Sequence, residues 1–231
     1  RLHGISRQCD ASWLEKFTGQ SHPAVFICGM FRTGSTLLEQ MLAAHPAFTA
    51  GGESEFFPRL VTYEFPQYPA DLDRIAPKQL ESWRAEHVEL AQRISDGSGR
   101  MTDKRPDNFL CAGLIKAVLP SAKFIVTERD WRDTAISIFA TRLGPKQNYS
   151  TRLEDIRHYI ALQRQLVDHW AEVMGDDLVR VQYEDLVRDP DKTLRSVLDC
   201  LNEEWDDRVM AFQAQEMAVR TASAWQGRQP L

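Results

Sequence analysis

Residues 26–36 of the chain are Phe26-Ile27-Cys28-Gly29-Met30-Phe31-Arg32-Thr33-Gly34-Ser35-Thr36. An apolar run ends at Gly29, a short loop follows, and apolar residues then recur at helical spacing from Leu37 to Leu42. The pattern predicts a buried strand, a glycine-containing loop and a helix, in that order. Such a loop presents backbone N–H groups at a helix N-terminus, which is a favourable place for a phosphate group.

The loop has the glycine spacing of a Walker A motif but not its lysine. Gly29 and Gly34 are separated by four residues, and Ser35 stands where a nucleotide triphosphatase has lysine. The cation within the loop is Arg32, whose planar guanidinium suits phosphate or sulfate. We therefore predict a loop that holds phosphates without hydrolysing a triphosphate. The alternative is an ordinary turn between a strand and a helix, with a solvated arginine.

The composition excludes several classes of protein. The chain has 231 residues, 43% of them hydrophobic and 26% charged, so it can bury a full core in one large domain or two small ones. A net charge of −5 argues against a general nucleic-acid binder. No apolar stretch reaches the roughly 18 residues that a membrane span requires. We expect no nucleic-acid partner and no membrane span.

The cysteines argue against a disulfide framework and against a zinc site. Cys9, Cys28, Cys111 and Cys200 contain no C-x-x-C pair, and no histidine lies at ligand spacing from them. A reducing compartment fits this pattern best, and we expect no metal. The chain begins at Arg1 rather than at methionine, so we expect a processed product or a fragment of a longer chain.

The remaining patterns predict an α/β fold of the P-loop type. Strands are predicted at 24–28, 100–103, 123–127 and 178–183. Helices are predicted from the loop to about residue 45 and at 78–94, 109–119, 130–140, 153–174 and 191–201, with 47–77 irregular. Alternating strands and helices predict a parallel sheet with helices on both faces. We predict a single domain over 22–231, preceded by an N-terminal lead or linker at 1–21.

A second basic cluster follows the strand predicted at 123–127. Arg129 stands where this strand ends, and ligands of open α/β sheets bind at such carboxyl ends. Ser137 comes eight residues later, about two turns into the next helix. Arginine and serine could hold a second phosphate together. The alternative is an exposed charged turn, in which Asp130 and Asp133 cap the helix and Arg132 pairs with them.

Two further segments carry weaker signals. Asp103-Lys104-Arg105-Pro106 places two cations before a rigid proline, but a solvated turn has the same composition. Gly51-Gly52-Glu53-Ser54-Glu55 places carboxylates after two glycines, as a catalytic base or an ordinary loop would.

Together these segments resemble the sulfotransferases that use 3′-phosphoadenosine-5′-phosphosulfate (PAPS). The similarity is greatest to the tyrosylprotein sulfotransferases and to bacterial sulfotransferases that follow tetratricopeptide repeats, and it runs from about residue 22 to the end. Five segments carry it in the family's order: 27–46, 103–109, the Arg129–Ser137 pair, 183–190 and 220–230. Phe31 and Trp131 depart from the family's usual proline or small residues, and the chain stops before the family's usual tryptophan-and-tyrosine tail.

The resemblance implies a role for each site residue. Glu53 would be the base, with Glu55 as a competing choice, and Lys104 would stabilise the departing oxygen together with Arg32. The 5′-phosphosulfate would be held by Arg32, Thr33, Gly34, Ser35 and Thr36, the 3′-phosphate by Arg129 and Ser137, and the rest of the cofactor by Tyr183, Ser223 and Arg228. The product would be adenosine 3′,5′-bisphosphate (PAP), and no metal is needed.

The resemblance leaves the acceptor open. A sulfuryl group would pass in line to a hydroxyl of a tyrosine, a sugar or a small molecule, with residues 52–95 forming the acceptor side. It also implies a cytoplasmic, bacterial-type enzyme rather than one of the Golgi lumen, and it is compatible with a homodimer. Two alternatives remain: a P-loop kinase or triphosphatase, which Ser35 argues against, and a nucleotide-binding module without catalysis.

Overall fold

A parallel sheet forms the centre of the molecule in the computed structural model, which describes residues 2–19, 21–96, 99–141, 143–144 and 147–214. Its strands are β1 (Val25–Gly29), β2 (Phe48–Ala50), β3 (Arg100–Lys104), β4 (Lys123–Glu128) and β5 (Leu178–Gln182). Their order across the sheet is β2-β3-β1-β4-β5, and each neighbouring pair is parallel. The predicted parallel α/β fold is confirmed.

Strand β1 is buried along its whole length because helices cover both faces of the sheet. Phe26 and Cys28 belong to the apolar cluster on one face, whereas Val25 and Ile27 belong to the cluster on the other. This alternation follows from the two-residue period of a strand. A strand covered on both faces needs apolar residues at every position, which explains the unbroken apolar run in the sequence.

The helices divide between these two faces. They are α1 (Leu2–Gln8), α2 (Ala11–Leu14), α3 (Ser35–Ala43), α4 (Phe56–Glu64), α5 (Pro77–Ser95), α6 (Ala112–Val118), α7 (Trp131–Thr141), α8 (Leu153–Met174), α9 (Tyr183–Arg188) and α10 (Pro190–Leu201). Helices α1, α2, α4, α5, α6 and α8 contribute side chains to one apolar cluster, and α3, α9 and α10 contribute to the other. Helix α7 packs with α8 around a smaller third cluster.

The first residues of the chain are part of the core. Ile5 and Trp13 are buried, and Trp13 Nε1 donates a hydrogen bond to Asp73 Oδ1 at 2.8 Å. Trp13 therefore attaches this segment to the core. The domain boundary at residue 22 stays a prediction.

The expectation that 47–77 is irregular was wrong. This segment contains β2, α4 and a turn of 3₁₀-helix at Leu72–Arg74. Strand β2 has three residues and is stabilised by pairing with β3. A pairing between distant segments leaves no local pattern in the sequence. Helix α4 accommodates Pro58 because this proline lies in the first turn, where a backbone N–H has no partner within the helix.

Other boundaries moved by a few residues. The helix predicted at 109–119 divides into a 3₁₀-helix at Pro106–Leu110 and α6. Tyr183 was placed at the end of a strand, but it is the first residue of α9, so its ring lies at the carboxyl edge of the sheet.

Candidate functional site

The candidate site lies at the carboxyl edge of three adjacent strands. Residues 30–34 follow β1, Lys104 is the last residue of β3, and Arg129 follows β4. Strand β1 lies between β3 and β4, with Ile27 in register with Lys104 and Gly29 in register with Thr127. The earlier strands β2 and β3 lie on one side of β1, and the later strands β4 and β5 lie on the other, so the strand order switches sides here. Such switch points are the usual ligand sites of open α/β sheets.

The loop after β1 has two residues in the left-handed region of backbone conformation. Arg32 and Gly34 have positive φ angles of 73° and 91°. Thr33 Oγ1 is 2.7 Å from Met30 O and 2.8 Å from Thr127 Oγ1, so a buried hydroxyl ties the loop to its own start and to β4. Helix α3 begins at the next residue, Ser35, and its N-terminal amides carry the partial positive charge of the helix dipole.

Gly34 is required at its position by a close approach as well as by its φ angle. A Cβ atom there would lie 2.5 Å from Cδ2 of Tyr183. Arg129 stacks on the same ring, with its guanidinium carbon 4.7 Å from the ring centroid of Tyr183. Tyr183 therefore packs between the loop after β1 and the arginine after β4.

Arg32, Arg129 and Ser137 lie together. Arg32 Nε donates a hydrogen bond to Ser137 Oγ at 3.0 Å, and Arg129 Nη1 is 3.5 Å from Arg32 O. Burial, and second the neighbouring charge of Arg129, lower the pKa of Arg32. The charges of Arg32 and Arg129 therefore act on each other and add to a positive field at the loop. The fold thus brings Arg32 and Ser137 into contact although they are 105 positions apart in the sequence.

The charged turn at 129–133 combines the two interpretations that the sequence allowed. Asp130 Oδ1 accepts hydrogen bonds from the backbone N–H groups of Arg132 at 2.8 Å and Asp133 at 3.3 Å, so it caps α7 as the alternative predicted. Arg132 lies on the outside, 3.6 Å from Asp130. Arg129, in contrast, is partly buried beside the loop, and its Nη2 is 3.5 Å from Oδ2 of Asp133.

Two departures from the family pattern have a packing role. Phe31 and Trp131 are both partly buried against the small cluster that includes Ala135 and Ile138. A proline or a small residue at either position would bury less apolar surface against this cluster.

Lys104 and Glu53 form an ion pair at the same edge of the sheet. Lys104 Nζ donates to Glu53 Oε1 at 2.9 Å; the lysine side chain is 1% exposed and the glutamate side chain 39%. Backbone hydrogen bonds from Gly51 N to Thr102 O and from Lys104 N to Gly52 O extend the pairing of β2 with β3. This extended pairing places the carboxylate of Glu53 next to the ammonium group of Lys104.

Glu55 has a different partner. Its Oε1 accepts from Arg105 Nη1 at 2.7 Å, and its side chain is 58% exposed. Arg105 is also paired with Asp107 at 2.7 Å. The structure therefore separates the two candidate bases: Glu53 contacts the buried lysine and Glu55 contacts the outer arginine.

Two buried carboxylates at the site were not predicted. Glu39 Oε1 accepts hydrogen bonds from Gly52 N at 3.0 Å and from Thr102 Oγ1 at 3.2 Å, and Asp103 Oδ1 accepts from Asn108 Nδ2 at 3.0 Å. Burial raises the pKa of each to about 7. A signal was present for Glu39, because it is the one charged residue in the sequence 35–44.

A cavity of about 580 Å³ opens between α4 and α5, next to the segment that carries Glu53. Its lining includes Ser54, Phe56, Tyr63 and Trp83, and all of its lining residues fall within 51–94. The cavity coincides with the segment expected to form the acceptor side.

The remaining site predictions lie elsewhere. Ser223, Arg228 and the segment 220–230 fall outside the described residues. Within the described part of the chain, no group of three metal-ligating side chains comes together. A helix long and apolar enough to cross a membrane is not found there either.

The chain resembles known sulfotransferases in sequence. Residues 23–207 match the model of the sulfotransferase family. One relative is protein-tyrosine sulfotransferase A of Caenorhabditis elegans, 26% identical over 203 residues that cover 83% of this chain and 53% of that protein. The chain spans between 30% and 53% of the length of the first curated relatives it matches.

Solved structures show the same fold. The sulfotransferase domain of the Synechococcus PCC 7002 olefin synthase superposes with a TM-score of 0.62 at 22% identity, covering 84% of this chain and 78% of that one. A mouse sulfotransferase complexed with PAP superposes with a TM-score of 0.50 at 15% identity, covering 90% of this chain and 69% of that one. Since the matched residues 23–207 include the loop after β1, the Lys104–Glu53 pair and Arg129, the chain belongs to the sulfotransferase family.

Proposed function

We propose that this protein transfers a sulfuryl group from PAPS to an acceptor hydroxyl. The observation that carries the proposal is the joint placement of two elements at one sheet edge: the Arg32–Arg129 pair and the buried Lys104–Glu53 pair. The first suits a ligand with two anionic groups, and the second suits a proton transfer beside a developing negative charge.

Under this proposal the donor spans the edge of β1. The amides at the start of α3, with Arg32 and the Ser35 and Thr36 hydroxyls, hold the 5′-phosphosulfate. Arg129 and Ser137 hold the 3′-phosphate. The mouse sulfotransferase of the same fold, which was solved with PAP, supports this choice of nucleotide. Tyr183, Ser223 and Arg228 remain proposed contacts.

The transfer itself is an in-line displacement at sulfur. The bond between sulfur and the bridging oxygen of PAPS breaks as a bond to the acceptor oxygen forms, and the electron pair stays with the 5′-phosphate of PAP. Glu53 takes the acceptor's proton, and Lys104 and Arg32 stabilise the charge on the departing oxygen. As in phosphoryl transfer, positioning and charge stabilisation supply most of the rate.

The Lys104–Glu53 ion pair fits this division of labour. Lys104 is buried at the end of β3, in register with Ile27 of the strand that leads into the loop. Glu53 is 39% exposed and faces the open side, where an acceptor can approach. With the donor in place, Lys104 turns its ammonium toward the bridging oxygen, and Glu53 is released to act as base.

The acceptor binds in the cavity between α4 and α5. A phenolic hydroxyl is the first acceptor to test, because aromatic side chains of Phe56, Tyr63 and Trp83 line the cavity and because the Caenorhabditis elegans relative is a protein-tyrosine sulfotransferase. A sugar hydroxyl and an aliphatic alcohol are the competing classes.

The test is transfer of ³⁵S from labelled PAPS to a panel of acceptors: a tyrosine-containing peptide, p-nitrophenol and a monosaccharide. We expect label in at least one acceptor, and about a 10²- to 10⁴-fold loss of kcat in Glu53→Gln. Glu55→Gln is the matched control and should stay within a few-fold of the parent. Phosphoryl transfer from ³²P-labelled ATP with magnesium, without sulfuryl transfer, would contradict the proposal. Binding of PAP without any transfer would instead favour a nucleotide-binding module.

A further inference from the structure

We propose that Glu39 is a positioning residue. Through its hydrogen bond to the amide of Gly52, it fixes the position of Glu53 relative to the loop after β1 (residues 30–34), which we call the donor loop. The inference rests on the proposed function, because it assumes that Glu53 is the base. Glu39 lies in α3, the helix that begins at the donor loop, and is 6% exposed.

The contacts of Glu39 join the three elements of the site. Its Oε1 accepts from the N–H of Gly52, at 3.0 Å, and from the hydroxyl of Thr102, at 3.2 Å. Gly52 immediately precedes Glu53, and Thr102 lies two residues before Lys104 on β3. One carboxylate oxygen of Glu39 therefore connects α3, the segment that carries Glu53, and strand β3.

Gly52 needs such an anchor. It has a φ angle of 65°, and no atom lies within 4 Å of the position that a Cβ would occupy, so side-chain packing does not hold it. Two hydrogen bonds do: its carbonyl accepts from Lys104 N at 2.8 Å, and its N–H donates to Glu39. Loss of the second bond would leave the base segment attached on the side of β3 alone.

A stability role by itself does not explain a carboxylate at this position. The deepest packing contacts of α3 are apolar and include Leu38, Met41 and Leu42, which are 0% exposed. Burying a carboxylate is unfavourable, and well-packed apolar side chains often replace buried charges without loss of stability. Burial accordingly raises the pKa of Glu39 to about 7, even with the Lys104 ammonium nearby. What an apolar residue cannot do here is accept the Gly52 hydrogen bond.

The test replaces Glu39 with two side chains of similar size. Glu39→Met keeps the volume and removes the acceptor, whereas Glu39→Gln keeps an acceptor oxygen. Displacement of a catalytic group by about 1 Å can cost roughly 10²-fold in rate. We expect kcat for sulfuryl transfer from PAPS to p-nitrophenol, or to the best acceptor of the panel, to fall about 10²-fold in Glu39→Met and by less than about fivefold in Glu39→Gln. The Kd for PAP should stay within about threefold of the parent in both, because the loop contacts are untouched.

Met41→Ala is the control for a general loosening of α3, since Met41 is buried on the same helix and contacts the apolar cluster instead. It should lower the melting temperature while retaining kcat well below that temperature. Amide hydrogen exchange of Gly52, followed by NMR, gives a readout that needs no acceptor: exchange should be faster in Glu39→Met than in the parent and in Glu39→Gln.

Each outcome has a distinct meaning. Retention of kcat in Glu39→Met, or unchanged Gly52 exchange, would overturn the positioning role while leaving the proposed function intact. An equal loss of kcat in Met41→Ala would overturn it as well. A parent protein that transfers sulfate to no acceptor of the panel would overturn the proposed function, and the positioning role with it.

Discussion

Replacement of Arg129 by alanine tests whether the cluster after β4 binds the 3′-phosphate of the donor. The substitution removes the guanidinium that stacks on Tyr183 and lies 3.5 Å from the backbone oxygen of Arg32. It leaves the loop after β1 and the Lys104–Glu53 pair in place. We therefore expect weaker binding of PAP in a protein that remains folded.

The size of the effect follows from the surroundings of Arg129. Its ion pair with Asp133 spans 3.5 Å, and the aspartate side chain is 56% exposed, so loss of that pair costs only about 0–1 kcal/mol of stability. A charge-assisted hydrogen bond from a partly buried guanidinium to phosphate contributes about 1.5–3 kcal/mol. We expect a loss of about 2–3 kcal/mol of binding free energy for PAP, or roughly 30- to 150-fold in Kd.

Isothermal titration calorimetry with PAP measures this loss directly. Arg132→Ala is the matched control: it removes the same charge three residues away, from an arginine whose side chain is 68% exposed and paired with Asp130. Its Kd should stay within about twofold of the parent at moderate salt, because an exposed charge acts only through the screened field. An Arg129→Ala protein that binds PAP as tightly as the parent would refute the 3′-phosphate role, as would equal losses in the two variants.

Three further predictions concern other parts of the site. Lys104→Met should lower kcat about 10²- to 10³-fold while the Kd for PAP changes by only a few-fold, and a loss confined to PAP affinity in calorimetry would argue against charge stabilisation by this residue. Gly34→Ala should destabilise the protein by about 2–4 kcal/mol, through its positive φ angle and the contact of the new Cβ with Tyr183; in thermal unfolding the loss should exceed that of Gly19→Ala, which has a positive φ angle but open space. Because burial raises the pKa of Glu39 from 4.5 to about 7, the folded state binds more protons than the unfolded state between these values, and the stability so gained is lost as the pH rises through about 7. The melting temperature of Glu39→Gln relative to the parent should therefore increase between about pH 5 and about pH 8, and a constant difference would contradict the assignment.

Local patterns in the sequence predicted the elements whose apolar period and turn residues lie within one segment of the chain. The strand at 24–28, the glycine loop and the following helix were all confirmed. Each has a signal that spans only a few residues: an apolar run, two glycines and a helical period. Helix α8 has the predicted bounds, since its apolar stripe repeats over 22 residues. Arg129 and Ser137 were singled out in the same way, from a strand end and a helical spacing; the structure places both beside Arg32, and their role in binding stays a prediction.

Elements that depend on tertiary pairing were missed or stayed uncertain. Strand β2 has three residues and exists because β3 pairs with it. The choice between Glu53 and Glu55 could not be made from their sequence alone, since it depends on which cation each one reaches. That depends on the backbone extension of β2 along β3, a contact between residues about 50 positions apart.

The strand period explains how Glu39 comes to contact β3, a contact that was not predicted from the sequence. Side chains on a strand alternate between the two faces of a sheet, so Thr102 and Lys104 point to one side and Asp103 to the other. The first side is the one covered by α3, from which Glu39 reaches Thr102. A shift of β3 by one residue would exchange the two faces and turn Asp103, instead of Lys104, toward α3. The register of Ile27 with Lys104 therefore determines which side chains of β3 face α3, and the hydrogen bond between Thr102 and Glu39 requires this register.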